Sequence, residues 1–360
     1  MSAAADEPSA AQHAVPRRCG PAAVLDVEAL APWLGEQLQG EVRLAPPRRL
    51  SGGAVQENWA LDVEVRDGPH AGAHALVLRA DAPSAIAASL SRGEEFAVLQ
   101  AAQLAGVTVP EPIAVCEDAA LLGRPFYLMR RVAGSAAGHR LVRDAAIDGE
   151  ALAARLGVEL ARLHALRAPI PGLEFLPEPD LAPAAFRVHT YRGYLDALAR
   201  PRPALEWALR WLERFAPADD TLVLCHGDYR TGNYMVDGGR LTGILDWEFA
   251  AWSHPDEDLG WFCARCWRFG RDDREAGGIA PRKAFYRGYE SVCGRTVQRE
   301  AIAYWEVMAT VRWAVLALQQ GERHCSGEQR SLELALTGRM VPELELDLLE
   351  QIERILGVAA

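Results

Sequence analysis

Three oxygen-bearing side chains with close spacing stand out in the second half of the chain. Asp228 and Asn233 lie five positions apart between two apolar runs, and Asp246 follows thirteen positions after Asn233, at the end of another apolar run. Phosphoryl transfer needs one carboxylate to orient or deprotonate a hydroxyl, and an amide with a second carboxylate to hold a divalent cation on the phosphates. We therefore predict that Asp228 is the catalytic carboxylate and that Asn233 and Asp246 hold Mg²⁺.

Each of these assignments has a plainer structural alternative. An aspartate in such a loop often caps a turn, but the register of Asp228 with Asn233 and Asp246 favours catalysis. Glu248 lies two positions after Asp246. It either reaches the metal ion or the acceptor or is a solvated loop acid, and the sequence favours neither.

Three motifs carry a family resemblance. They are His-Gly-Asp at 226–228 with Asn233, Ile-Leu-Asp-Trp-Glu at 244–248, and Asp-Glu-Asp-Leu-Gly-Trp at 256–261. Together they resemble the aminoglycoside phosphotransferase/choline kinase-like superfamily, nearest to the branch associated with acyl-CoA dehydrogenases. The resemblance spans most of residues 45–355, with the first two dozen residues unmatched.

The resemblance implies an α+β, protein-kinase-like bilobal fold and an ATP-dependent phosphotransferase. Such an enzyme moves the γ-phosphate of ATP to a hydroxyl of a small molecule and uses Mg²⁺. The resemblance also implies that His226 supports the catalytic loop by hydrogen bonds, and that Asp258 braces it through backbone amides.

The same resemblance implies that the nucleotide binds between the two lobes. Ser51, Gly52 and Gly53 form the expected phosphate-covering loop, because glycines let backbone amides approach phosphate oxygens. A lone Gly-Gly is also common in ordinary hairpins. The backbone of residues 129–132, including Met129 and Arg131, is the expected hinge that binds adenine.

Arg79 ends an apolar strand at the position where kinases place a lysine. This departs from the wider superfamily, although the acyl-CoA dehydrogenase-associated branch tolerates arginine there. An arginine still offers permanent positive charge and a planar fork for phosphate oxygens. Its expected helix partner is Glu95, or Glu94 if the register shifts by one. The alternative is an exposed surface pair of little energetic weight.

Hydrophobic periodicity divides the chain into three parts. Residues 1–24 are predicted to be a flexible tail, 25–131 an N-lobe with a five-stranded antiparallel sheet and a helix, and 132–360 a mainly helical C-lobe. The predicted strands are 42–50, 59–65, 73–79, 113–117, 125–131, 221–225, 234–237 and 240–245. The predicted helices are 26–38, 91–104, 150–167, 191–215, 301–320 and 342–356.

Composition limits the functional classes. A net charge of −11 opposes non-specific nucleic-acid binding, and seven cysteines without a framework spacing fit a reducing compartment. The most hydrophobic late segment, 301–320, carries Glu306 and Arg312 and is interpreted as too polar to span a bilayer. We predict a soluble cytoplasmic protein in which Cys263 and Cys266 are buried structural thiols.

The acceptor is less well defined by the sequence. Residues 185–198 and 261–274 mix several arginines with acids, which does not suit a polycationic antibiotic and permits a neutral or anionic hydroxylated acceptor. Two other classes remain open. One is a non-catalytic nucleotide-binding module, favoured by Arg79; the other is a metal-dependent hydrolase using Asp228 and Asp246 with His226 and His254.

Overall fold

The computed structural model describes residues 25–50, 56–81, 89–198 and 200–357. An antiparallel sheet with three flanking helices forms the first part of the chain. Its elements are α1 (Val27–Gln37), β1 (Val42–Leu44), β2 (Arg48–Arg49), β3 (Gln56–Val65), β4 (Gly72–Asp81), α2 (Arg92–Leu104), β5 (Pro112–Cys116), α3 (Ala119–Leu122) and β6 (Phe126–Arg130).

The sheet has the order β1-β3-β4-β6-β5, and the short strand β2 also pairs with β3. The sequence predicted one strand over 42–50, and the structure corrects this to β1 and β2. Pro46 and Pro47 lie between them, and proline has no N–H to donate to a ladder. The α+β fold with a five-stranded antiparallel path is confirmed, with β2 as an added edge.

Helix α2 begins with a capping box. Ser91 Oγ accepts from the backbone N–H of Glu94, while the Glu94 carboxylate accepts from the N–H of Ser91. This pair of bonds satisfies two of the donors that a helix start leaves open. The cap fixes the register of α2 and turns Glu95, rather than Glu94, toward the sheet.

The second part of the chain is mainly helical. Its elements are α4 (Gly138–Leu141), α5 (Gly149–Leu163), α6 (Pro183–Asp196), α7 (Pro203–Arg214), β7 (Val223–Cys225), β8 (Tyr234–Asp237), β9 (Arg240–Ile244), β10 (Ala251–Ser253), α8 (Pro255–Cys263), α9 (Arg282–Cys293), α10 (Arg299–Cys325), α11 (Leu332–Gly338) and α12 (Val341–Leu356). Strand β7 pairs with β10 and β8 pairs with β9, both antiparallel.

The single helix predicted over 191–215 is wrong. The chain instead forms α6 and α7, which are separated by a segment containing Pro201, and Pro203 opens the second helix. A proline inside a helix removes a hydrogen bond and clashes with the preceding turn, whereas one at the first turn is tolerated. The predicted helix over 301–320 is longer than expected, because α10 runs from Arg299 to Cys325.

Helix α10 lies at the centre of the helical part. Its length and a mean hydropathy of 1.3 over 18 residues satisfy the composition expected of a membrane span, so the sequence argument from polarity was too strong. However, 67% of that window is buried inside the protein, where it packs against α6, α7, α8 and α12. Burial against neighbouring helices explains the apolar composition.

The cysteines within the described residues are free thiols. Cys263 is buried at the end of α8, and burial raises the pKa of its thiol to about 12. A buried thiol with a raised pKa is unreactive at neutral pH. Cys263 therefore packs as a small apolar side chain in the core, as predicted, whereas Cys266 is only half-buried.

Candidate active site

The loop between β7 and β8 begins at His226 and ends at Asn233. Gly227 has a φ of 76°, in the left-handed region, and a Cβ placed on it would lie 2.1 Å from the carbonyl oxygen of Phe249. Only glycine fits both the backbone angle and the space. This turn brings Asp228 out of the end of β7.

A buried carboxylate from α8 holds the start of this loop. Asp258 is fully buried and accepts from the backbone N–H groups of His226, at 2.7 Å, and Gly227, at 3.0 Å. The Nε2 of His164 lies 3.2 Å from the same carboxylate. Burial alone would raise the pKa of Asp258, but hydrogen bonding and charge from His164 hold it below its ordinary value. The carboxylate therefore stays ionised while it fixes two backbone amides.

His226 uses both of its ring nitrogens within the protein. Its Nε2 lies 2.9 Å from the carbonyl oxygen of Leu245 and must donate to it, while Nδ1 accepts from the backbone N–H of Asp228 at 3.1 Å. The ring therefore ties the loop of Asp228 to the segment that leads into Asp246. With neither nitrogen free, His226 is a structural support and has no lone pair available to act as a base.

Both carboxylate oxygens of Asp228 accept hydrogen bonds. The indole Nε1 of Trp261 donates to Oδ1 at 2.8 Å, and the amide of Asn233 donates to Oδ2 at 2.6 Å. The Nε of Arg230 lies 3.0 and 3.1 Å from the two oxygens. Charge-assisted and convergent bonds of this kind fix a carboxylate in one orientation. The guanidinium of Arg230 also offsets the negative charge of Asp228, whose side chain is nearly buried.

Asn233 and Asp246 offer the donors that a magnesium ion prefers. Asn233 donates through Nδ2 to the backbone and side-chain oxygens of Asp228, which leaves its own Oδ1 available. The backbone N–H of Leu245 donates to Asn233 O at 2.8 Å and joins the two loops. Asp246 has a φ of 69°, unusual for a residue other than glycine and typical of functional sites. An amide oxygen and an ionised carboxylate fit a hard cation.

Arg79 connects the sheet to this region. Its guanidinium lies 3.1 Å from Glu95 and 2.5 Å from Oδ1 of Asp246. Burial would raise the pKa of Asp246, but the charge and hydrogen bond of Arg79 hold it below its ordinary value. Arg92 also contacts Glu95 and lies 2.8 Å from Asp81. Arg79 thus forms the strand-to-helix ion pair predicted from its position, with Glu95 as the partner, and the pair is buried rather than at the surface.

Glu248 is buried and is not a solvated loop acid. Its carboxylate accepts from the side-chain amide of Gln56 at 2.8 Å. Burial, and then repulsion from Asp246, raises the pKa of Glu248 well above its ordinary value. The structure therefore places it beside the predicted metal ligand and against strand β3.

The other residues predicted to bind the nucleotide are those of the phosphate-covering loop and the adenine hinge. Ser51, Gly52 and Gly53 lie outside the described residues. Met129 lies in β6, paired with Val77 of β4. The backbone N–H of Arg131 donates to Ala75 O at 2.9 Å, so that amide is engaged in the sheet and is not free for a nucleotide base.

Four side chains of this region were given no part in the chemistry by sequence reasoning. Arg230 and Trp261 contact Asp228, His164 contacts Asp258, and Gln56 contacts Glu248. One signal was present: Trp261 follows Asp258 by three positions on α8, and residues three apart share a helix face. Nothing in the sequence indicated His164 beyond an amphipathic helix end.

His254 does not join the predicted metal ligands. It is the N-cap of α8, it lies 3.2 Å from Asp219, and its ring stacks on Trp305 at 5.5 Å between centroids. Among the described residues, His254 therefore does not lie with Asp228 and Asp246 as a metal-dependent hydrolase would require.

A family of known proteins matches the part of the chain that carries this site. The phosphotransferase enzyme family (APH) matches residues 47–295, which include strands β2 to β10, the loop of Asp228, and Asp246 and Asp258. The chain belongs to this family. As a member of it, the protein is an enzyme of the phosphotransferase class, and the hydrolase alternative is set aside.

Curated relatives of this phosphotransferase match about half of the chain. Acyl-CoA dehydrogenase family member 11 of Gallus gallus is 34% identical over 178 residues, covering 46% of the chain and 22% of that protein. The homoserine kinase of Methylocella silvestris is 28% identical over 173 residues, covering 46% of the chain and 49% of that protein. The matched region is thus less than a quarter of the dehydrogenase's length and about half of the kinase's.

Solved structures of similar fold cover nearly all of the phosphotransferase. A Ralstonia eutropha protein assigned as an aminoglycoside phosphotransferase superposes with a TM-score of 0.71 at 22% identity, covering 92% of this chain and 99% of the other. Spectinomycin phosphotransferase, solved with ADP and spectinomycin, gives a TM-score of 0.60 at 14% identity, covering 90% of this chain and 98% of the other. At these identities the likeness establishes the fold.

Proposed function

We propose that the protein transfers the γ-phosphate of ATP to a hydroxyl group of a small molecule. The observation that carries this proposal is the hydrogen bond from Asn233 to Asp228, together with the Leu245–Asn233 backbone bond that joins their loop to the segment carrying Asp246. Related structures of the same fold contain GDP, ADP or AMP-PNP and hydroxylated acceptors such as kanamycin and spectinomycin. The homoserine kinase relative also acts on a small hydroxylated compound by its name.

In this proposal Asp228 receives the acceptor hydroxyl. As the new O–P bond forms and the bond from the γ-phosphorus to the β-phosphate bridging oxygen breaks, the hydroxyl proton passes to the Asp228 carboxylate and ADP leaves. Trp261 and Asn233 hold that carboxylate in one orientation. The guanidinium of Arg230 supplies positive charge where negative charge collects during transfer.

Asn233 and Asp246 are the proposed ligands of Mg²⁺, with Glu248 beside them. When bound, the ion neutralises phosphate charge and aligns the leaving group. Asp246 forms an ion pair with Arg79. In this proposal the guanidinium of Arg79 is the cation from the sheet that faces the nucleotide phosphates. When the nucleotide binds, its phosphate oxygens would replace Asp246 as the ion-pair partner of Arg79.

The buried pair of Arg79 and Glu95 bears on the alternative of a non-catalytic module. Arginine in place of lysine was the only feature favouring that alternative, and here it makes the same strand-to-helix contact that lysine makes in kinases. We therefore propose that Arg79 serves an active enzyme. We also propose a cytoplasmic location, in keeping with the free thiols of the described residues.

A screen for transfer of label from γ-labelled ATP tests the function. Hydroxylated metabolites and cell extracts are incubated with the protein and Mg²⁺, and labelled products are identified. We expect a phosphate ester of a neutral or anionic hydroxylated compound. Tight ATP binding without turnover on any compound would support a binding module, and activity without nucleotide would contradict the proposal.

Replacing Asp246 by alanine should remove the magnesium-dependent part of nucleotide stabilisation. The reason is that the change deletes the one ionised carboxylate of the proposed metal site, which the Asn233 oxygen alone cannot replace. The measurement is the shift in melting temperature with AMP-PNP, with and without Mg²⁺. Asp237→Ala, at the exposed end of β8, is the control and should behave like wild type. Retained magnesium-dependent protection in Asp246→Ala would contradict the metal assignment.

Replacing Arg79 by alanine should weaken ATP binding by about 10- to 100-fold, because a charged hydrogen-bond donor contributes about 1.5–3 kcal/mol. Arg79→Lys should be milder, since it keeps the positive charge. Isothermal calorimetry with AMP-PNP and Mg²⁺ gives both values. An unchanged affinity in Arg79→Ala would show that this side chain does not face the nucleotide.

A further inference from the structure

A second arginine lies over the ring of the indole whose Nε1 contacts Asp228. Arg312 projects from α10, and its guanidinium carbon lies 4.4 Å from the centroid of the Trp261 ring and 6.0 Å from that of Phe249. Its side chain is only 14% exposed. Because Trp261 Nε1 donates to Asp228, a single indole separates Arg312 from the proposed catalytic carboxylate.

Arg312 has no direct hydrogen-bond partner within the described part of the chain. Its nearest carboxylate, Glu257, is 3.9 Å away, beyond hydrogen-bonding range. That carboxylate is already engaged, because Arg187 donates to it at 2.9 Å and Ser253 contacts it as well. Two guanidinium groups therefore share one carboxylate, which leaves one positive charge in excess.

The charge near Asp228 itself is already matched. Arg230 lies on both oxygens of Asp228, and its guanidinium stacks on Trp267 at 4.5 Å. Arg312, whose ion pair at 3.9 Å is to a carboxylate shared with Arg187, is thus a weakly compensated cation beside this site. The guanidinium nitrogens of Arg312 are not among the buried unpartnered atoms of the described residues, so they reach solvent and can donate to a ligand, and a planar fork suits a carboxylate or phosphate.

We propose that Arg312 binds an anionic group of the acceptor while the acceptor hydroxyl lies at Asp228. This inference rests on the proposed function and narrows its acceptor to compounds that carry a hydroxyl and an oxyanion on one small skeleton. Trp261 contacts both residues, Asp228 through its Nε1 and Arg312 over its ring. A cationic acceptor would meet the excess charge of Arg187 and Arg312 and would be repelled.

The binding of sulfate, a simple oxyanion, tests this site directly. The protein is saturated with AMP-PNP and Mg²⁺, so that the phosphate site is filled, and its melting temperature is followed as sulfate replaces chloride at constant ionic strength. Sulfate also stabilises proteins in general, so the comparison is between variants. Arg214→Gln is the matched control, because Arg214 is exposed and also lies on an aromatic ring, that of Phe215 at 5.6 Å.

We expect a saturable sulfate effect in wild type and Arg214→Gln, with at least about 10-fold weaker sulfate affinity in Arg312→Gln. The sulfate affinity of Arg312→Lys should lie between those of wild type and Arg312→Gln, because lysine keeps the positive charge but lacks the planar guanidinium. An identical sulfate response in wild type and Arg312→Gln overturns the inference. If AMP-PNP and Mg²⁺ fail to stabilise even the wild type, the proposed function itself fails, and the two failures are thereby distinguished.

Kinetics with the acceptor found by label transfer add a second readout. Arg312→Gln should raise the KM for the acceptor by at least about 10-fold and leave the KM for ATP unchanged. An acceptor without any anionic group, or a KM for it that does not respond to Arg312→Gln, would also overturn the inference.

Discussion

Asp228→Asn is expected to lower phosphoryl transfer by about 10²- to 10⁴-fold, the contribution typical of a positioned general base. Asparagine keeps the size of the side chain, and its oxygen can still accept from Trp261 or Asn233. It cannot take the proton of the acceptor hydroxyl. Nucleotide binding should therefore remain close to wild type while transfer is lost, which is measured as labelled product per unit time and as AMP-PNP affinity.

Asp237→Asn, made at an exposed aspartate in the hairpin after the same loop, is the control and should retain full transfer. A variant Asp228→Asn with undiminished transfer would refute the role of Asp228. If both transfer and nucleotide affinity fell together, the change would have disturbed the Asn233 contact, and the catalytic assignment would lose its support.

Asp258→Ala should destabilise the protein by about 3–5 kcal/mol, the usual cost of removing one partner of a buried charged network. The change leaves the backbone N–H groups of His226 and Gly227 without an acceptor in a fully buried site. Each orphaned donor carries a desolvation cost of about 1–3 kcal/mol. Urea unfolding monitored by tryptophan fluorescence measures the loss.

Two further variants make this measurement decisive. Asp258→Asn keeps one carbonyl oxygen for the two amides and should lose less stability than alanine. Asp272→Ala removes an exposed partner of Arg265 and should cost no more than about 1 kcal/mol. Equal stability of Asp258→Ala and Asp272→Ala would show that the buried carboxylate does not hold the loop.

The sequence was sufficient to predict that residues spaced closely along the chain lie near one another in the structure. Asp228, Asn233 and Asp246 lie in short loops next to strands, so their mutual approach follows from local structure. The pairing of Arg79 with Glu95 was predictable because a capped helix and a regular strand fix both registers.

Contacts made across long separations in sequence could not be predicted in this way. Trp261 reaches Asp228, and Arg312 reaches Trp261, only because α8 packs on α10. No periodicity in either helix encodes that crossing. The division between α6 and α7 was missed for a different reason, since helical periodicity was given more weight than the prolines.

Two of the side-chain contacts between the sheet and the loop of Asp246 and Glu248 bear on the turnover proposed above. Asp228, Asn233 and Asp246 all extend from the helical part and are tied together by His226 and by the Leu245–Asn233 bond, whereas Arg79 and Gln56 extend from β4 and β3. Under the proposed function, a hinge motion of the sheet would break the Arg79–Asp246 and Gln56–Glu248 contacts and leave the His226–Leu245 and Leu245–Asn233 bonds intact. In the reaction proposed here, ADP would then leave without disturbing the bonds that hold Asp228 and Asn233 beside Asp246.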